Sequence, residues 1–186
     1  MCSILRAIFV LFSALLALPA LCHAEFVGRV VGVSDGDTVT VLAPDNVQYR
    51  IRLAGIDAPE KAQPFGARSK ETLSSLVFGH WVTVEGDKRD RYGRTVAKLW
   101  VAPLEAGCRS SSTCPRTVDA NLAQVATGMA WWYRQYAREQ APEDRIQYAE
   151  AEASARNRKV GLWRDPDPVP PWEWRRERRL SMPSPP

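Results

Sequence analysis

The chain has 186 residues and a formal charge of +4, and 20 of its 25 basic side chains are arginine. That length suits one compact domain with a tail rather than several domains. Once the first 24 residues are set aside as an expected leader, one histidine and two cysteines remain, too few for a zinc site, whereas a surplus of arginine forks suits a polyanion.

At the start, Arg6 precedes an apolar run over 7–18, followed by Pro19 and small residues up to Cys22-His23-Ala24. This is the layout of a secretory signal peptide cut after Ala24, and the run falls short of the roughly 20 residues that span a bilayer. The expectation is a leader over 1–24 and a secreted or periplasmic protein with no stable membrane association after cleavage. Removing the leader takes away Arg6, Cys2, Cys22 and His23, so that His80, Cys108 and Cys114 remain. In an oxidising compartment Cys108 and Cys114, flanking Arg109-Ser110-Ser111-Ser112-Thr113, read as a disulfide that staples a loop.

Residues 26–33 are valine-rich and predict a strand, and Ser34-Asp35-Gly36-Asp37 predicts a tight turn in which Gly36 supplies permissive backbone. Residues 38–43 form the returning strand, and Ala43-Pro44-Asp45-Asn46 the next turn. Over 47–53, Val47, Tyr49, Ile51 and Leu53 alternate with Gln48, Arg50 and Arg52, which is a half-buried strand with both arginines on its polar face. Leu73, Leu76 and Val77 lie at helical spacing after Pro64, and Gly79 ends that helix. Two further strands, 81–85 and 94–101, flank the charged link Asp87-Lys88-Arg89-Asp90-Arg91-Tyr92-Gly93.

Val118, Leu122, Val125 and Ala126 define a second helix ended by Gly128. Pro142, Glu143 and Asp144 open a third, which carries Ile146, Ala149 and Ala153 inward and stops at Gly161. From Asp165 onward the chain is rich in proline and arginine, contains Trp172 and Trp174, and is expected to drape over the domain or hang free. Five short strands, a helix after the third and helices at the end predict an α+β, β-rich fold, a five-stranded OB-type antiparallel barrel with about three helices. The expected organisation is leader 1–24, one domain over 25–164 and a tail over 165–186.

The residues that carry chemistry cluster early. Asp37 sits in Asp35-Gly36-Asp37-Thr38; Arg52, Asp57 and Glu60 follow in one short stretch; Arg94 closes Tyr92-Gly93-Arg94. Hard cations such as calcium and magnesium take oxygen ligands, which Asp37, Asp57 and the carbonyl of Ala58 offer, with Glu60 near enough to hold a water. Arg52 and Arg94 can each make paired hydrogen bonds to phosphate and stabilise charge that develops there.

Together, Asp35-Gly36-Asp37-Thr38, Arg52 through Asp57-Ala58-Pro59-Glu60, and Tyr92-Gly93-Arg94 resemble the staphylococcal nuclease (thermonuclease) family. The likeness runs over about 26–163, through Gly128-Met129-Ala130 and Gly161-Leu162-Trp163. The resemblance implies a monomeric, secreted, calcium-dependent nuclease that cleaves DNA and/or RNA to 3′-phosphate products. It also implies Asp37, Asp57 and the Ala58 carbonyl as calcium ligands and Arg52, Glu60 and Arg94 as catalytic residues. Tyr92 corresponds to a tyrosine near the bound phosphate, and Tyr136 to one of two tyrosines of a nucleotide pocket whose other position is Arg134 here. The Cys108–Cys114 loop departs from the family pattern. The alternative is an exported OB-type module that grips nucleic acid without cutting it. The tail arginines Arg175, Arg176, Arg178 and Arg179 would suit an accessory DNA-binding role.

Overall fold

Valine-rich segments broken by short polar turns pair into a meander of β1 (Glu25–Val33), β2 (Thr38–Leu42) and β3 (Gln48–Leu53) in the computed structural model, which describes residues 25–181. The expected leader lies outside the described residues. A short β4 (Ile56–Asp57) and helix α1 (Gly66–Val77) follow, then β5 (Trp81–Arg89) and β6 (Thr95–Val101). β5 pairs antiparallel with both β1 and β6, and β3 pairs parallel with β6, so the five long strands close on themselves. The barrel of the sequence reading is therefore present, but it is mixed rather than wholly antiparallel. The reason is topological: an odd number of strands cannot alternate direction all the way round a ring, so one pairing must be parallel.

Alternation along β3 buries Ile51 and Leu53 and leaves Arg50 exposed. With Val39, Val41, Val82, Val84, Leu99 and Val101 they fill the barrel, and Leu73 and Val77 of α1 pack against them. Val118 belongs not to a helix but to β7 (Val118–Asp119), paired with the end of β6. Asp119 stops the strand and caps the next helix, since its carboxylate accepts the amides of Asn121 and Leu122. Helix α2 (Ala120–Ala126) then turns at Gly128 into β8 (Trp131–Trp132), which pairs with β4.

Helix α3 (Pro142–Asn157) begins at the proline, as expected, but buries a different face. Ile146 is 60% exposed, and Tyr148, Glu152 and Ala155 point inward. Apolar spacing misleads here because two inward residues are polar and satisfied. The Tyr148 hydroxyl donates to Asp119, and Glu152 accepts from the Trp132 amide and Arg134. Beyond a 3₁₀ turn at Gly161–Arg164, the expected tail forms a helix, α4 (Pro171–Ser181). Among the described residues no helix is long and apolar enough to cross a membrane.

Two buried amides of α2 stitch the barrel to its cap. Asn121 accepts from the Leu99 amide and donates to the carbonyls of Ala54 and Ala97. Gln124 donates to the carbonyls of Gly36 and Ser69. Asn121→Ala strands these buried groups, and urea unfolding is expected to show a loss of about 3 kcal/mol.

Candidate active site

Three segments meet at one end of the barrel because strand register brings them there. The Leu53 amide donates to the Asp37 carbonyl at 2.8 Å, which fixes the start of β2 against the end of β3. Gly36, just before, was read as supplying permissive backbone, yet it does not adopt the left-handed conformation. It is needed for space instead, since a Cβ there would lie 1.8 Å from Ser69 Oγ and 2.7 Å from Ala58 Cβ. The turn thus presses against α1 and the Asp57–Ala58 segment, and the Ala58 amide donates to Asp37 Oδ2 at 2.9 Å.

Arg50 and Arg52 share a face of β3, but only Arg52 stands where the chain doubles back into β4. Its Nη1 donates to the carbonyls of Leu53 and Ile56 at 3.1 and 2.9 Å and lies 3.0 Å from Asp37 Oδ2. Its Nη2 lies 3.0 Å from Asp57 Oδ1. Burial alone would lower the Arg52 pKa, yet the carboxylates of Asp37, Asp57 and Asp35 together raise it. Asp57 is 1% exposed, and burial pushes its carboxyl up against the opposing pull of Arg175 and Arg52. Burial and the adjacent Asp37 push Asp35 up to about 6.

Arg94 follows the hairpin turn between β5 and β6. Asp90 accepts the amides of Tyr92 and Arg94 and the Arg94 Nε at 2.7 Å. Burial works the other way, but these bonds hold Asp90 below the usual carboxylate range. So anchored, Arg94 Nη1 donates to Thr38 Oγ1 at 3.1 Å, and that hydroxyl donates to Asp37 Oδ1 at 3.0 Å. Arg52 and Arg94 therefore reach the two different oxygens of Asp37, the second through one hydroxyl.

Glu60 stands apart from this pair. Its amide donates to Gln63, and its carboxylate, 40% exposed, meets Arg175 of α4 at 2.8 Å. Tyr92 is 65% exposed on the hairpin turn, with the Arg94 guanidinium 5.5 Å from its ring centroid. Tyr136 is exposed beside Tyr133, ring centroids 5.0 Å apart, on a 3₁₀ segment. Arg134 turns away to Glu152 and lies over the Trp132 ring. Cys108 and Cys114 are bonded, and the neighbouring arginines reach Leu76 and Thr83 rather than the carboxylates.

Two participants, Thr38 and Tyr133, escaped the sequence reading, and a third, Arg175, was read only as a tail arginine for nucleic acid. Thr38 was visible in Asp-Gly-Asp-Thr but carried no assigned role. Tyr133 lies close enough to Asp57 that burial and then that charge raise its pKa. Arg175 holds Asp57 Oδ2 at 2.7 Å, although 118 residues separate the two. A helical phase of three, opening at Pro171 and linking Trp172 to Arg175, was the one local signal for it.

A family profile described as "Staphylococcal nuclease homologue" matches residues 50–165, which include Arg52, Asp57, Glu60 and Arg94. Protein ParB of Escherichia coli is 43% identical over 94% of this chain and 92% of its own. A protein named Micrococcal nuclease from Shigella flexneri is 41% identical over 92% of each chain. One named "Uncharacterized endonuclease" from Haemophilus influenzae is 40% identical over 83% of this chain and 75% of its own. With that profile covering most of the barrel's second half and the cap, and relatives matched nearly end to end, this chain belongs to the staphylococcal nuclease family and is a nuclease, a hydrolase.

Proposed function

We propose that this nuclease hydrolyses phosphodiester bonds of DNA and/or RNA to 3′-phosphate products, with calcium held at Asp37 and Asp57, after export to the periplasm or the medium. The observation that carries the reading is the placement of Arg52 on one oxygen of Asp37 and of Arg94 on the other through the Thr38 hydroxyl. Two guanidiniums and a carboxylate pair are thus joined in one cluster, the charge set that a phosphodiester requires. The leader-like segment 1–24 and the bonded Cys108–Cys114 pair support export.

The donor set suits a hard divalent cation. Asp37, Asp57 and Glu60 offer only oxygen, and the buried Asp57 already draws positive charge from two arginines. Among the described residues no three acidic, histidine or cysteine side chains form a complete cage. Backbone carbonyls such as that of Ala58, together with water, would therefore fill the shell. Calcium, when bound there, supplies positive charge to a phosphate oxygen.

The chain's own residues do the rest. Arg52 and Arg94 donate to the equatorial phosphate oxygens, where negative charge grows as water attacks in line. Arginine holds its proton too tightly to act as an acid, so both work electrostatically. Glu60, solvent-open at the rim, orients that water and takes its proton. The bond from phosphorus to the 5′ oxygen breaks, and the leaving oxygen takes a proton from solvent. Tyr92 borders the phosphate beside Arg94, and the exposed Tyr136 offers stacking to a base.

Arg94→Ala is expected to fold normally by circular dichroism and to cleave supercoiled plasmid about a thousandfold more slowly; full activity would remove it from the reaction. Arg52→Ala is expected to lose activity and also about 3 kcal/mol of stability in urea, because Asp37 and Asp57 are left buried without their shared counter-charge. Excess calcium chelator should stop cleavage and calcium should restore it. The products should resist polymerase extension until a phosphatase has removed their 3′ phosphates.

A further inference from the structure

Helix α4 enters the site from the far end of the chain. Pro171 is its buried residue, Trp172 to Arg175 are half-buried, and the remaining turns lie open, with Leu180 81% exposed. Two side chains on one face aim inward. Arg175 Nη2 lies 2.7 Å from Asp57 Oδ2, and its Nη1 lies 3.2 Å from Asp57 Oδ1 and 2.8 Å from Glu60 Oε1. One turn earlier, Trp172 stacks on Tyr133 with centroids 5.4 Å apart and planes 12° from parallel. Trp172 also meets Trp131 edge-on at 5.7 Å.

Arg52 holds Asp57 Oδ1 as well, so guanidinium nitrogens cap both oxygens of that carboxylate. Asp57 and Glu60 are thereby bridged by a positive group that is part of the chain itself. A divalent cation brought to Asp57 would sit at contact distance from Arg175, and like charges so close in a half-buried site repel strongly.

We propose that α4 is an intramolecular occupant of the active site, Arg175 standing in the place of the divalent cation and Trp172 covering the tyrosine face open to a base, so that cation loading and α4 docking exclude each other. This rests on the calcium reading above, whose ligand Asp57 is the residue Arg175 grips.

The docking is suited to release. The Trp174 indole Nε1 is buried with no partner. A cavity of about 60 Å³ lies between Trp174, Phe65, Trp131 and Val169. Just before the helix, Gln63 Nε2 donates to the Val169 carbonyl at 2.6 Å, a fixed point about which α4 can swing. The grip is local and strong while the packing beneath it is incomplete, so α4 can leave without disturbing the barrel core.

The test titrates the full chain, Arg175→Ala and Trp172→Ala with calcium alone by calorimetry, and follows hydrogen exchange over 171–181. Arg175→Ala is expected to bind calcium about tenfold more tightly than the parent, as follows if the occupant is docked about nine-tenths of the time. Trp172→Ala should shift in the same direction, and calcium should speed exchange of the α4 amides in the parent. Equal or weaker calcium affinity in Arg175→Ala, or α4 amides that stay protected in saturating calcium, overturns the proposal and leaves the calcium reading standing. No calcium uptake by either the parent or Arg175→Ala overturns both.

Discussion

The site depends on one buried guanidinium. Arg52 lies between Asp37 and Asp57, bound to each at 3.0 Å, with its remaining bonds going to the carbonyls of Leu53 and Ile56. Two carboxylates withdrawn from water this far would repel each other without a shared counter-charge. Burying three charges together is not an efficient way to stabilise a fold, since well-packed apolar groups of similar size often do as well or better. The arrangement makes sense as a device that fixes two acids in place.

From Arg52 the charges alternate outward in a chain. On one side Asp37 leads through the Thr38 hydroxyl to Arg94 and on to Asp90; on the other Asp57 leads to Arg175 and Glu60. Most links stand on strands or on turns tied to strands, and Gln124 reaches from α2 to hold the backbone at Gly36. Donors held this way need little rearrangement when charge develops on a substrate, which is the basis of electrostatic preorganisation. Arg175 is the exception, because it is borne on a helix with a single buried residue.

The legible part of the molecule was the part written in local patterns. Alternation in 47–53 marked β3, and short motifs carried Asp37, Arg52, Asp57, Glu60 and Arg94 because each motif spans a turn or a strand end. Where a residue's role depends on what packs against it from elsewhere, sequence had nothing to offer. Gly36 reads as a turn glycine, yet it is the neighbour Ser69 on α1 that excludes a side chain there. The inward face of α3 includes Glu152, whose burial makes sense only once the Trp132 amide and Arg134 are known to meet it. Arg50 and Arg52 are indistinguishable by period, and the return of the chain through β4 separates them. Val118 follows a helical phase but has β6 as its partner, and Asp119 ends that strand with a cap.

The parallel seam that closes the barrel has an effect beyond topology. It sets Arg52 opposite Val96 and Ile51 opposite Thr95, so Arg94 stands one residue before the ladder that holds Arg52. The spacing of the two guanidiniums is thus set by this main-chain ladder together with the turn in which Asp90 anchors Arg94. Sliding that seam by a single position would turn Arg52 toward the apolar interior and Ile51 toward the acids. A chain assembled in the wrong register would therefore fail to close and would part the two guanidiniums at the same moment, which couples closure of this barrel to the assembly of its charged cluster.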